Sequence, residues 1–147
     1  MGMRTRLTTI VPLLLTLAAA CGGQASSPVS PADCRVTATH RVGSTLSVDV
    51  DPADSSIRGL LLQGATATAG KPFSVRWVMD ARKAGREMRM RAIRQGTNQV
   101  IDLIWSGTTS GQLAEFPARI TFPAAGCWSA DLSSGTAGGE VVLRVDA

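Results

Sequence analysis

Apolar and polar residues alternate over several short windows of the chain. Leu46, Val48 and Val50 alternate with Ser47 and Asp49. Val75, Trp77 and Met79 alternate with Ser74, Arg76 and Asp80, and Ile101, Leu103 and Trp105 share one parity. Further along, Ile120 and Phe122, then Trp128, Ala130 and Leu132, then Val141, Leu143 and Val145 repeat the pattern against polar neighbours. A period of two over short runs predicts strands with one buried face. Turn-forming clusters separate them: Gly43-Ser44, Asp51-Pro52, Ala69 to Pro72, Gly107 to Gly111 and Ser133 to Gly139. About seven to nine short strands with this punctuation predict an all-β antiparallel sandwich. No strand–helix–strand rhythm occurs, so a doubly wound fold is not expected.

Residues 81–94 admit two readings. Ala, Arg, Met and Glu favour a helix. Gly85 interrupts one, and Met88, Met90 and Ala92 alternate with Arg89 and Arg91. A turn over Asp80 to Gly85 and a strand over Arg86 to Ile93 is the reading adopted, with a helix as the alternative. Ser133 to Gly139 has no aromatic residue or Arg to anchor a ligand and reads as a flexible connector.

The first 20 residues do not belong to this pattern. Arg4 and Arg6 precede an apolar run from Leu7 to Ala19, too short to span a bilayer as a helix, which takes about 20 residues. A basic start, an apolar middle and a small-residue end make a signal peptide over residues 1–20. Ala18-Ala19-Ala20-Cys21 resembles the bacterial lipobox, in which a lipid is attached to the cysteine. Ala18 stands where that pattern prefers Leu, and the same residues also fit ordinary signal cleavage. The cysteines are Cys21, Cys34 and Cys127. Lipidation of Cys21 leaves an even pair, which favours the lipoprotein reading. Residues 22–33, GGQASSPVSPAD, lack large apolar side chains and are expected to form a tether.

Residues 34–147 then make one domain. In an oxidising compartment Cys34 and Cys127 are expected to pair, closing a loop for which chain entropy gives roughly 4.7 kcal/mol as an upper value. Because Trp128, Ala130 and Leu132 are the apolar set of their strand, Cys127 is expected on the opposite face, outside the main core.

The segment FPAAGCW, Phe122 to Trp128, with EVVLRV after a Gly-rich turn, resembles the C-terminal end of an immunoglobulin-like domain found in uncharacterised bacterial lipoproteins. KPFSVRWVM and REMRMRA resemble the two strands upstream in that family. The resemblance implies an immunoglobulin-like sandwich and carries no activity with it.

The chain has 15 Lys and Arg against 11 Asp and Glu. Removing Arg4 and Arg6 with the signal leaves thirteen against eleven, too balanced to argue for nucleic acid. Six of those cations, Arg82, Lys83, Arg86, Arg89, Arg91 and Arg94, fall close together. Their outward face is expected to be a basic stripe, either protecting a strand from edge pairing or meeting an anionic membrane, an envelope protein or an anionic surface polymer. His40 is the only histidine and no nucleophile elbow, HExxH, CxxC or phosphate loop is present, so no catalytic residue, metal or cofactor is assigned. Met79, Met88 and Met90 with His40 are soft ligands that could hold copper, but Met88 and Met90 fall on the predicted core face. The reading is a non-catalytic extracytoplasmic module, lipid-anchored at Cys21 to the cell membrane or outer membrane. A periplasmic copper-handling protein and a secreted hydrolase with an unrecognised site are the alternatives.

Overall fold

The computed structural model describes residues 34–52 and 56–147. The segments expected as a signal peptide and a tether, and the expected lipidation site Cys21, lie outside the described residues. Eleven strands follow in order: β1 Thr39–Val42, β2 Thr45–Asp49, β3 Arg58–Leu61, β4 Ala67–Thr68, β5 Pro72–Asp80, β6 Glu87–Arg94, β7 Val100–Ser106, β8 Thr108–Ser110, β9 Leu113–Thr121, β10 Gly126–Ser134 and β11 Ala137–Asp146. They form a six-stranded sheet, β1-β2-β3-β5-β9-β8, and a five-stranded sheet, β4-β11-β10-β6-β7. The chain changes sheet five times: into and out of β4, between β5 and β6, between β7 and β8, and between β9 and β10. This is an all-β sandwich. The run β11-β10-β6-β7 has the order G-F-C-C′ of an immunoglobulin variable-type sheet, opposite an A-B-E-D order in β3-β5-β9-β8.

Two sequence expectations need correction. The strands number eleven rather than seven to nine, because β1, β3, β4 and β8 have only two to four residues each. Nor is every pair antiparallel: β4 runs parallel to β11, with Ala67 opposite Val145. Residues 81–94 resolve into a turn and the strand β6, and the described residues contain no helix.

The inner faces follow the alternation. Phe73, Val75, Trp77 and Met79 of β5 and Ala114, Phe116, Ala118 and Ile120 of β9 meet Met88, Met90 and Ala92 of β6. Trp128, Ala130 and Leu132 of β10 and Val141, Leu143 and Val145 of β11 complete the layer. Each large side chain so buried contributes about 1.5–3 kcal/mol. Trp128 satisfies its indole N–H on the Ala124 carbonyl, 3.0 Å away, and its ring lies 5.3 Å from that of Phe122.

Cys34 and Cys127 are joined, with Cα atoms 5.4 Å apart. Cys127 faces away from the core, across from Arg144 of β11. It is nevertheless 0% exposed, because the N-terminal segment covers it. Thr37 fixes that segment: its N–H donates to the Val142 carbonyl at 3.0 Å and its hydroxyl accepts from the Val142 N–H at 2.8 Å. The bridge thus straps the entering chain to β10. Replacing both cysteines by Ala is expected to cost about 2–5 kcal/mol, since the bond links positions 93 residues apart. Thermal unfolding of the double variant measures this; an unchanged midpoint would mean the strap contributes nothing.

Candidate functional site

The outward face of β6 carries Glu87, Arg89, Arg91 and Ile93, all exposed. Arg89 Nη2 lies 3.8 Å from Glu87 Oε2 and Arg91 Nη1 lies 3.5 Å from Asp102 Oδ2. Register adds what the sequence hides. Arg91 stands between Asp102 of β7 and Asp131 of β10, and Asp131 stands opposite Glu140 of β11. Three carboxylates and one guanidinium therefore share a row across the sheet. The expected basic stripe is a mixed-charge face.

The other four cations are also sorted by their partners. Arg82 grips Asp80, with Nη2 2.6 Å from Oδ2. Hydrogen bonds from the Arg82 side chain, then from its backbone N–H, hold the Asp80 carboxyl at about 2. Arg94 is half-buried and donates from Nη1 to Gln99 Oε1 at 3.0 Å. Lys83 and Arg86 are exposed and have no ion pair among the described residues.

Both sit at one end of the sandwich. The β5–β6 turn, the β10–β11 turn and the sheet switch at Gly107 converge there. Thr136 N–H donates to the Lys83 carbonyl at 2.9 Å, and Gly107 N–H to the Arg86 carbonyl at 3.1 Å. The Ser134 hydroxyl accepts from Gly85 N–H at 3.1 Å and donates to the Glu87 carbonyl at 2.7 Å. Gly135 has φ +56°, and a Cβ there would lie 2.2 Å from the Lys83 carbonyl oxygen, so only glycine lets the two turns close on each other. The segment expected as a flexible connector is instead a two-residue turn with Ser134 and Ala137 buried. A cleft of about 630 Å³ opens beside it. Ala114 and Phe116 form its apolar side, Ser106 and Thr109 add hydroxyls, and Arg86 and Glu87 line its charged side. Gly107 is held against Phe116: a Cβ would stand 2.4 Å from the ring.

Cys34 marks the opposite end. It is bonded to the start of β10, whereas the Arg82–Arg86 turn adjoins the end of β10. The eight residues of β6 separate these ends by roughly 25 Å at 3.3 Å per residue.

The groups considered for metal or catalysis are placed elsewhere. Met79, Met88 and Met90 are buried in the core, while His40 lies on the exposed strand β1 of the other sheet. Among the described residues no three His, Cys, Asp or Glu side chains cluster as metal ligands. One arrangement escaped the sequence reading: His40 lies directly across from Ser47, with its Nδ1 3.6 Å from Asp49 Oδ2. The residue types are those of a hydrolytic triad, but the geometry differs. Ser47 is 0% exposed and its hydroxyl has no hydrogen-bond partner, so it neither meets solvent nor donates to His40.

Two outcomes follow from this geometry. Arg82→Gln should return the Asp80 carboxyl from about 2 toward the ordinary value of about 3.9, read by NMR titration. The sign is that of a depressed carboxylate: the pair's stabilisation is present above the ordinary value and is lost as pH falls toward 2. Gly135→Ala should destabilise the domain by about 1–3 kcal/mol, because both the positive φ and the close approach oppose a side chain; an unchanged midpoint in chemical denaturation would show that the two turns are not locked. No protein-family model matches the chain, and searches of curated proteins and of solved structures give no match.

Proposed function

We propose that the chain is an extracytoplasmic lipoprotein, anchored through Cys21, whose immunoglobulin-like domain is a non-catalytic binding module. Its loop end meets an anionic partner in the envelope, either an acidic protein or a surface polymer. The observation that carries this reading is the sorting of the cations. Arg82, Arg89 and Arg91 are paired with carboxylates, whereas Lys83 and Arg86 stand without ion pairs on the locked loop end. Exposed cations held on a fixed turn without an ion-pair partner attract an anionic surface at close range, within the roughly 8 Å over which salt leaves charge unscreened.

Two features support the choice of end. Cys34, which follows Cys21 in the chain, enters at the opposite end, so an anchor leaves the loop end unobstructed. In variable-type immunoglobulin domains the loops at the corresponding end bind ligand, a fold-level analogy. The hydrolase and copper readings gain nothing comparable: the only Ser-His-Asp group described above has an inaccessible hydroxyl, and the methionines lie in the core.

Cell fractionation tests the anchor: Cys21→Ser should move the protein from the membrane to the soluble fraction, and continued sedimentation with membranes would contradict lipid attachment there. Heparin, a simple polyanion, tests the surface. The Lys83→Ser, Arg86→Ser double variant should elute from a heparin column at distinctly lower salt than the parent chain, while Arg89→Ser, Arg91→Ser should elute near the parent. The opposite order would place the contact on the β6 face.

A further inference from the structure

Strand β7 forms one edge of the five-stranded sheet. Its hydrogen-bonding parity is fixed at both ends, by Arg94 N–H donating to the Gln99 carbonyl and Gly107 N–H donating to the Arg86 carbonyl. Antiparallel ladders alternate, so the odd-numbered residues of β7 face β6. Val100, Asp102, Ile104 and Ser106 therefore direct their N–H and C=O groups toward the open edge, and all four are exposed.

Natural sheets protect such edges with shortness, proline, bulges or charge. The other described edges are short: β1 has four residues including His40 and Arg41, β4 has two and β8 has three. Strand β7 has seven residues, VIDLIWS, with no proline and a single charge, Asp102, which lies beside Arg91. Its inward side chains, Ile101, Leu103 and Trp105, pack on the core but remain only half-buried. Ile104 on the outer face is 54% exposed.

We propose that β7 pairs antiparallel with β7 of a second copy of this chain, about a two-fold axis at Leu103, joining the two five-stranded sheets into one. The strand itself selects this register. Inward residues must face inward residues, so the axis passes through a residue. Placed at Asp102, it sets two carboxylates directly opposite, which is unfavourable. Placed at Ile104, it loses the pairing of Val100, whose opposite number would be Thr108, already in the other sheet. At Leu103 all seven residues pair. Leu103 meets its own copy, Ile101 meets Trp105 twice, and Asp102 meets Ile104 rather than another acid. The half-buried apolar side chains thus cover one another, and the edge backbone groups find partners. Reversal of the strand places the two Cys34 residues at opposite ends of the pair, so an anchored pair lies with its strands along the membrane.

The exported full chain carrying Cys21→Ser tests the register by cross-linking. Inward pairs across such an axis are the close, non-hydrogen-bonded kind, with Cα atoms about 4.5 Å apart, within the range a disulfide spans. Leu103→Cys should therefore give a covalent dimer under mild oxidation. Ile101→Cys should not, since its two copies lie roughly 13 Å apart along the strands. Ile104 gives a second test on an exposed position. Ile104→Asp sets like charges opposite Asp102 at two symmetric places and should weaken the dimer about tenfold in sedimentation velocity. Ile104→Lys should leave it as tight or tighter. Equal cross-linking at Ile101 and Leu103, an equal effect of Asp and Lys at Ile104, or a parent chain monomeric at all concentrations would each overturn the proposal. In the last case the edge is either capped by a strand of another protein or left open. The loop-end reading is independent, because the heparin comparison does not involve β7.

Discussion

The structure depends on the placement of β6 between β10 and β7 with its methionines inward. Met88, Met90 and Ala92 are among the least exposed residues of the domain, and the intervening Arg89 and Arg91 have no outlet except the solvent face. A slip of one residue in register would drive both guanidiniums into the core and expose the methionines. Burying an unpaired guanidinium costs many times what a surface ion pair contributes, so this register is firmly specified. From it follow the exposure of the β5–β6 turn at one end, the neutralisation of the outer face and the position of β7 at the edge.

Neutralisation changes the functional picture more than the fold does. Six clustered cations suggest a broad basic surface, but Asp80, Glu87 and Asp102 lie against three of them and Asp131 stands beside Arg91. What remains is Arg94, half-buried and hydrogen-bonded to the neutral Gln99 amide, and the exposed Lys83 and Arg86 on a turn that backbone and hydroxyl hydrogen bonds hold in place. Two fixed charges attract less strongly than six, but they act at a defined position beside a cleft, which suits local contact with a partner. The cleft and the edge of β7 share Ser106 yet differ in chemistry: one offers a guanidinium, a carboxylate and hydroxyls, the other backbone groups and apolar side chains.

The sequence made the sandwich legible because the long strands repeat apolar residues at period two, and every such window is a strand. The windows missed lack that repeat. Thr39–Val42 is exposed on both faces, Arg58–Leu61 has Gly59 at one of its two inward positions, Thr108–Ser110 has no apolar residue, and Ala67–Thr68 is too short to show a period. The face of Cys127 was legible from Trp128 and Ala130, although its full burial was not, since that depends on Thr37 meeting Val142. Charge pairing was the least legible feature. Asp102 and Asp131 are set beside Arg91 only by strand register, and register between distant segments leaves little trace in sequence order. The Ser133–Gly139 segment misled for a related reason: its composition marks a loop, but the hydroxyl of Ser134 ties it to the turn before β6.

A comparison of two substitutions at adjacent positions of β6 tests the central placement most directly. Arg91→Met removes an exposed charge and one surface ion pair, so its thermal midpoint should stay within a few degrees of the parent, consistent with a loss of about 1 kcal/mol or less. Met90→Arg puts a guanidinium where the core has no acid to receive it and should abolish cooperative unfolding. If Met90→Arg folds as the parent does while Arg91→Met does not, β6 faces the other way and the account built on it is wrong.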